Sequence, residues 1–156
     1  DRRANTVMMR TFSKIHGLAA ARLGWAYLPQ EIAETFQRIR GPFNVNSLAV
    51  AAGIASISDP AFITMSREHN TLWRAKMIDA LNTMGLATPV SHANFVIPDF
   101  GSVERAAAAH AFLKERDILV RAIAGYGLPA RLRISVGSAQ DNEAVLANLK
   151  DFTASR

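Results

Sequence analysis

Residues 11–25, TFSKIHGLAAARLGW, constrain this chain more than any other segment of its sequence. The segment follows a short apolar stretch and places a lysine, two hydroxyls and an arginine close together, with glycines nearby. Because a partly unprotonated amine condenses with a carbonyl to form a Schiff base, Lys14 is a candidate for the attachment of an aldehyde. Thr11, Ser13 and Arg22 supply hydroxyl and guanidinium donors that together satisfy a phosphate. The segment therefore predicts a site for a molecule that carries both an aldehyde and a phosphate.

By composition alone, the same residues are also typical of an ordinary loop with a solvated lysine. The longer pattern resembles the lysine signature of fold-type I pyridoxal-phosphate-dependent aminotransferases. The matching residues are Ser13-Lys14, Gly17-Leu18-Ala19 and Arg22-Leu23-Gly24-Trp25, and Arg22 follows Lys14 by eight residues. The resemblance implies that pyridoxal 5'-phosphate is the cofactor and that Lys14 is both its attachment point and the catalytic base. It also implies that Thr11, Ser13 and Arg22 bind the cofactor phosphate.

Three further blocks narrow the resemblance to the histidinol-phosphate aminotransferase family. They are residues 40–46 (RGPFNVN), residues 91–96 (SHANFV) and residues 120–137, which contain GYGLP and LRISVG. The resemblance covers nearly the whole chain. It implies the conversion of L-histidinol phosphate and 2-oxoglutarate to imidazole-acetol phosphate and L-glutamate, in histidine biosynthesis. It further implies a homodimer with active sites at the subunit interface. A location in the cytoplasm is expected, since the absence of cysteine is compatible with a reducing compartment.

Other functions stay open at this point. Aromatic amino acid aminotransferases share all of these motifs, so the motifs do not decide between histidinol phosphate and an aromatic amino acid as the substrate. A related decarboxylase is a further alternative. From a different class, a noncatalytic α/β interaction module that has lost the cofactor role is also compatible with the pattern, although the presence of Lys14, Ser13 and Arg22 argues against such a loss.

Arg133 has two interpretations. In residues 132–136 the apolar side chains alternate with Arg133 and Ser135, which places the arginine on the opposite face of a strand. The pattern alone fits a half-solvated strand, whereas the resemblance implies that Arg133 binds the anionic end of the substrate. A guanidinium suits phosphate and carboxylate equally well. The resemblance assigns two more residues to the substrate side: Asn94 and Tyr126.

Helical and strand patterns alternate along the chain and predict an α/β fold. Helices are predicted over residues 29–40, 46–58, 60–84, 102–115 and 140–152, and strands over residues 6–9, 93–98, 118–121 and 132–136. The helix that begins at Asp59-Pro60 is expected to be about 37 Å long and to end at Gly85. The resemblance implies that residues 1–60 are the C-terminal part of the large cofactor domain. Residues 61–156 would then form an interdomain helix and a small C-terminal domain.

Residues 6–9 read as a buried strand that has no earlier strand to pair with. We therefore expect an N-terminal half that this chain lacks. According to the resemblance, that half supplies the aspartate that contacts the pyridine nitrogen, a tyrosine near the cofactor and part of the phosphate site. The 156-residue chain alone is accordingly expected to be inactive or nearly so.

Composition argues against several other classes of protein. The net charge of +5 comes from scattered arginines without interleaved aromatic residues, so we expect no nucleic-acid partner. No cysteine is present, and the four histidines lack the spacing of metal ligands, so we expect neither a disulfide nor a metal site. The longest apolar run is far shorter than the roughly 20 residues of a membrane-spanning helix, so we expect no membrane association.

The remaining side chains of note in this region are interpreted as structural. His16 lies two residues from Lys14, and we expect it to pack or to form a local hydrogen bond rather than to take part in the chemistry. Trp25, Tyr27 and Phe43 are interpreted as packing or interface residues.

Overall fold

The computed structural model describes residues 5–154, which form two compact units divided between Arg67 and Glu68. The division between the units falls inside helix α3 (Pro60–Thr83). The resemblance instead implied a boundary between residues 60 and 61, at the start of this helix. The assignment of the two parts to a large and a small domain stays a prediction.

The first unit begins with a two-stranded antiparallel ribbon. Strand β1 (Met8–Thr11) pairs with β2 (Gly24–Tyr27), and Thr11 lies opposite Gly24. The prediction of a buried strand over residues 6–9 is wrong in two respects. The strand starts two residues later, and all four of its residues are exposed. The prediction also left both strand edges unpaired, whereas β2 occupies one of them, because a strand partner that follows the loop was not recognised in the residues after Arg22.

Two helices follow the ribbon, as predicted. Helix α1 (Gln30–Ile39) has no buried residue, although its apolar residues recur at helical spacing. Helix α2 (Ser47–Ile57) begins at Asn46, whose side chain accepts a hydrogen bond from the Ala49 amide at 2.8 Å. Phe43, interpreted from the sequence as a packing or interface residue, is 97% exposed and does not pack within the described residues. A role at an interface stays a prediction.

The long helix α3 is confirmed, with 24 residues. The carboxylate of Asp59 accepts a hydrogen bond from the Phe62 amide at 3.0 Å, as expected for an N-terminal cap. Gly85 follows the helix with a φ of +78°, a left-handed conformation that a side chain would disfavour. Local sequence signals therefore place both ends of this helix correctly.

The second unit contains a three-stranded antiparallel sheet and two further helices. The strands lie in the order β3 (Phe95–Val96), β5 (Leu132–Ser135), β4 (Arg121–Ala122). Helices α4 (Val103–Lys114) and α5 (Ala139–Ala154) complete the unit. Its core is formed by Met77, Leu81, Leu86, Val96, Phe100, Ala106, Ala109, Leu113, Leu132, Ile134, Val145 and Leu149.

The strand predicted over residues 118–121 is shorter than expected. The Ile118 amide donates to the carbonyl of Leu113 at 3.0 Å, and Asp117 adopts a φ of +59°. These features are those of a helix C-terminal cap, so residue 118 completes α4 and does not belong to β4. The N-terminus of α5 is confirmed, because Asp141 accepts from both the amide and the hydroxyl of Ser138.

Among residues 5–154, no single helix is both long enough and apolar enough to cross a membrane. Helices α2 and α3 meet those criteria only when taken together, and they are bent by 80° at the break between them. The described residues also contain no group of three or more His, Cys, Asp or Glu side chains that could hold a metal ion.

Candidate functional site

The loop after β1 brings together the hydroxyls that the sequence analysis selected. The Thr11 hydroxyl donates to the Ser13 hydroxyl at 2.8 Å, and the Ser13 amide donates to Thr11 Oγ1 at 3.0 Å. Phe12 lies between them in the sequence and is buried, with 5% of its side chain exposed. Because side chains alternate along an extended segment, burial of Phe12 leaves Thr11 and Ser13 on the opposite side.

Arg22 joins this pair from the far side of the loop. It follows the 3₁₀ turn Ala19–Ala21 and has a φ of +54°, which is uncommon for a residue other than glycine. Its Nη1 donates to the carbonyl of Ala19 at 2.7 Å and to the Ser13 hydroxyl at 3.5 Å. The remaining guanidinium donors have no recorded hydrogen-bond partner in residues 5–154, and Arg22 forms no ion pair there.

Lys14 follows Ser13 directly and is exposed. Its carbonyl accepts a hydrogen bond from the Gly17 amide at 2.9 Å, so the lysine begins a tight turn. Its ammonium group forms no ion pair within the described part of the chain. Lys14 is therefore accessible, and it directly follows Ser13 of the Thr11, Ser13 and Arg22 cluster in the chain.

Two contacts with α2 fix this loop, and the sequence analysis missed their extent. The ring of Phe12 lies 4.6 Å from that of His16, and a Cβ built on Gly53 of α2 would lie 3.7 Å from Phe12 Cε1. His16 Nδ1 is hydrogen-bonded to the Ser56 hydroxyl at 2.8 Å. The expectation that His16 packs and hydrogen-bonds is confirmed. The sequence did contain an indication that Phe12 is buried and holds the loop in place, because it is an apolar residue between two hydroxyl-bearing residues.

Arg133 occupies β5 in the second unit, as its strand pattern indicates. Leu132 and Ile134 are buried on one face, while Arg133 is half-buried and Ser135 is exposed on the other. The guanidinium carbon of Arg133 lies 5.1 Å from the centre of the Phe95 ring. Its Nε is buried and has no hydrogen-bond partner among the described residues. A buried donor without a partner costs about 1–3 kcal/mol, which an anionic ligand could offset.

Arg121 is a residue that the site prediction omitted. It lies directly opposite Arg133 in the β4–β5 register, so both guanidiniums belong to the same face of the sheet. Arg121 also donates to the Tyr126 hydroxyl at 3.4 Å, and its guanidinium lies 5.7 Å from the centre of that ring. In the sequence, only its position within the block of residues 120–137 pointed to a functional role for Arg121. The pairing of Arg121 with Arg133 could not be predicted, because the sequence of one strand does not show its partner.

The other two predicted substrate-side residues are both exposed. Tyr126 is 67% exposed and contacts Arg121. Asn94 precedes β3, and its carbonyl accepts a hydrogen bond from the Val136 amide at 2.9 Å. Both residues are thus attached to the sheet that carries Arg133. Their roles toward a substrate stay predictions, as do those of the loop residues.

The chemistry of the loop cluster suits a phosphate with an aldehyde attached. Hydroxyl and guanidinium donors within 3.5 Å of one another can rotate or redirect their hydrogens toward one anionic group. The neighbouring amine of Lys14 can react with a carbonyl. The residues present therefore fit the group that the sequence analysis expects.

Comparison with known proteins also indicates an aminotransferase. A family model described as aminotransferase class I and II matches residues 1–149. Histidinol-phosphate aminotransferase from Hyphomonas neptunium is 71% identical over 156 residues, which is 100% of this chain and 42% of that protein. The enzyme of the same name from Granulibacter bethesdensis is 47% identical over 150 residues, or 96% of this chain and 40% of that protein.

Solved structures agree with these matches. The crystal structure of histidinol-phosphate aminotransferase from Sinorhizobium meliloti, in complex with pyridoxal-5'-phosphate, has a TM-score of 0.89 at 28% identity. The match covers 99% of this chain and 42% of that one. The predicted fold class, an α/β fold of the fold-type I aminotransferases, is confirmed by this likeness. The chain spans about two fifths of the length of the curated relatives it matches.

Proposed function

Because the chain belongs to the class I and II aminotransferase family, we propose that this protein transfers an amino group from L-histidinol phosphate to 2-oxoglutarate. The products are imidazole-acetol phosphate and L-glutamate, and the pathway is histidine biosynthesis. The observation that carries this proposal is the cluster of Thr11, Ser13 and Arg22 beside the exposed Lys14. The relatives named above support the choice of substrate.

Pyridoxal phosphate is the proposed cofactor. When bound, it supplies an aldehyde that reacts with amines and an aromatic ring that withdraws electrons from the substrate. The hydroxyls of Thr11 and Ser13 and the guanidinium of Arg22 hold its phosphate and keep it in one position. Lys14 would hold the aldehyde through its amine, and the same amine would move a proton at the carbon that bears the substrate amino group.

Two arginines of the second unit favour a substrate that is an anion. Arg121 and Arg133 lie opposite each other, and Arg133 Nε is buried without a partner. Neither guanidinium forms an ion pair with a carboxylate in the described residues. Two adjacent guanidiniums match the double negative charge of a phosphate monoester better than the single charge of a carboxylate. We assign this pair, with Tyr126 and Asn94, to the substrate side.

A cytoplasmic homodimer is part of the proposal. The first unit exposes several large apolar side chains, among them Met9 at 73%, Ile39 at 72% and Leu48 at 81%. Exposed apolar surface of this kind is typical of contacts with further protein. We also propose that the isolated 156-residue chain is inactive, because it spans only about two fifths of the length of the relatives named above.

The test is to treat the protein in its natural full length with pyridoxal phosphate and borohydride, and to map the modified peptide by mass spectrometry. Borohydride makes a Schiff-base linkage permanent, so a pyridoxyl group on Lys14 is the expected result. Rates with L-histidinol phosphate, L-histidinol and L-phenylalanine then establish the substrate. A folded protein that carries no label at Lys14 would leave a noncatalytic module as the better account. Faster turnover of L-phenylalanine than of L-histidinol phosphate would indicate an aromatic amino acid aminotransferase.

A further inference from the structure

Helix α3 holds two backbone carbonyls through its polar side chains. His69 Nε2 donates to the carbonyl of Gly137 at 2.8 Å. Five residues further along, Arg74 Nη1 donates to the carbonyl of Ala93 at 3.0 Å, and Asn70 Nδ2 donates to the same oxygen at 3.4 Å. Because a carbonyl can only accept, His69 carries its hydrogen on Nε2 in this contact.

The two carbonyls lie at the same end of the sheet. Ala93 precedes β3 and Gly137 follows β5, and these strands are antiparallel. The Val136 amide donates to the carbonyl of Asn94 at 2.9 Å, which joins the two segments directly. Helix α3 therefore ties down the start of β3 and the end of β5 together.

These two strands carry Arg133 and its ring contact. The guanidinium of Arg133 packs on Phe95 of β3, and its Nε has no hydrogen-bond partner in the described part of the chain. Within residues 5–154 the guanidinium donates no hydrogen bond to a neighbouring side chain that would fix it in place. Its position consequently depends on the backbone of β5 and on the ring of Phe95.

A second side chain secures Gly137 from the other direction. The buried amide of Asn142 accepts from the Gly137 amide at 2.8 Å and donates to its carbonyl at 3.1 Å. Asn142 belongs to α5, whereas His69 belongs to α3. The Gly137 carbonyl thus has two donors from two helices, and loss of His69 would leave Asn142 of α5 as its side-chain donor within the described residues.

We propose that His69 is a positioning residue for Arg133. By donating to the carbonyl of Gly137, it fixes the end of β5, and thereby the position from which Arg133 meets an anionic substrate. This inference rests on the proposed function, because it takes Arg133 as the residue that binds the substrate anion. It adds a residue that lies 64 positions from Arg133 in the sequence and acts on it through the backbone of β5.

The experiment compares His69→Leu, His69→Gln and His69→Asn in the natural full-length enzyme loaded with pyridoxal phosphate. Leucine removes the donor, glutamine places an amide donor near the position of Nε2, and asparagine is one methylene too short. His69→Leu should raise KM for L-histidinol phosphate about tenfold while kcat changes less than about twofold. KM for unphosphorylated L-histidinol should stay unchanged. His69→Gln should behave like the wild type, and His69→Asn like His69→Leu.

His110→Leu is the matched control, since His110 is a half-buried histidine of α4 whose side chain forms no hydrogen bond within residues 5–154. It should leave both KM values unchanged. If His69→Leu fails to fold, His69→Asn against His69→Gln carries the comparison. If KM for L-histidinol phosphate were the same in all His69 variants, or if only kcat fell below that of the wild type, the inference would be overturned while the proposed function stands. A wild-type enzyme without activity on L-histidinol phosphate would overturn the proposed function, and the inference with it.

Discussion

Arg121 lies directly opposite Arg133 in the antiparallel β4–β5 pair. Like charges in this arrangement repel each other, and the described residues place no carboxylate within ion-pair distance of either guanidinium. The repulsion would be relieved by an anion bound between the two side chains. A pair that weakens the free protein and strengthens binding is typical of a functional site.

Replacement of Arg121 should therefore affect stability and binding in opposite directions. Arg121→Gln is expected to raise the free energy of unfolding by up to about 0.5 kcal/mol, because one of the repelling charges is gone. It should also raise KM for L-histidinol phosphate about tenfold or more, with little effect on L-histidinol. Urea denaturation and steady-state kinetics measure the two effects. Arg105→Gln on α4 is the control, and an equal change in both proteins would contradict the role of Arg121.

Lys14→Ala should abolish amino transfer without unfolding the protein. The side chain is exposed, so the free energy of unfolding should change by less than about 0.5 kcal/mol. Pyridoxal phosphate is expected to remain able to bind through Thr11, Ser13 and Arg22, but borohydride should no longer attach it. Lys14→Arg preserves the positive charge and should be equally inactive. Unchanged turnover in either variant would disprove the assigned role.

Arg22→Ala should weaken retention of the cofactor, because it removes the guanidinium next to Ser13 Oγ. Loss of one charge-assisted contact of about 1.5–3 kcal/mol corresponds to a rise in Kd of roughly tenfold to a hundredfold. Titration with pyridoxal phosphate followed by absorbance gives Kd. Arg38→Ala, on the exposed end of α1, should leave Kd unchanged. A similar Kd for the Arg22 and Arg38 variants would show that Arg22 does not bind the phosphate.

Phe12→Ala should destabilise the protein by about 3 kcal/mol, since it empties a site where the ring is 95% buried against His16 and α2. The hydroxyls on either side of Phe12 should lose their position as well, so cofactor retention should fall. Phe43→Ala provides the matched control because that ring is 97% exposed. Its cost should stay within about 0.5 kcal/mol by urea denaturation. Comparable losses in both variants would mean that Phe12 does not anchor the loop.

Low pH should remove the contribution of Asp99 to the free energy of unfolding of the second unit. Its pKa lies below the ordinary value of 3.8, mainly because the Gly101 amide donates to the carboxylate, and Arg131 at 3.0 Å lowers it further against the effect of partial burial. A lowered pKa in the folded state stabilises the fold above the unfolded-state value, and this stabilisation is lost as the pH falls through the folded-state value. The difference in unfolding free energy between wild type and Asp99→Asn should be greatest above about pH 5 and shrink at lower pH. A difference that is constant with pH would contradict this.

Several features of the fold could be predicted because their causes are local. The caps at Asn46, Asp59 and Ser138 each contact a residue three positions away, and the three helices that they begin were predicted from the sequence. The strand face of Arg133 follows from simple alternation. Burial of β1 was predicted wrongly. Apolar residues in a strand indicate a preference for burial, but they do not show whether another element packs on that strand.

The sequence by itself determined the helices, their ends and the order of Thr11, Ser13, Lys14 and Arg22 along one loop, because capping and short motifs depend on near neighbours. Only the tertiary structure decided that Arg121 faces Arg133 and that His69 holds a carbonyl 68 residues away. Strand register and contacts between distant segments arise from the packing of the whole unit, and a single stretch of sequence does not contain them. The loop could therefore be recognised from its residues, while the supporting side chains of the sheet could not.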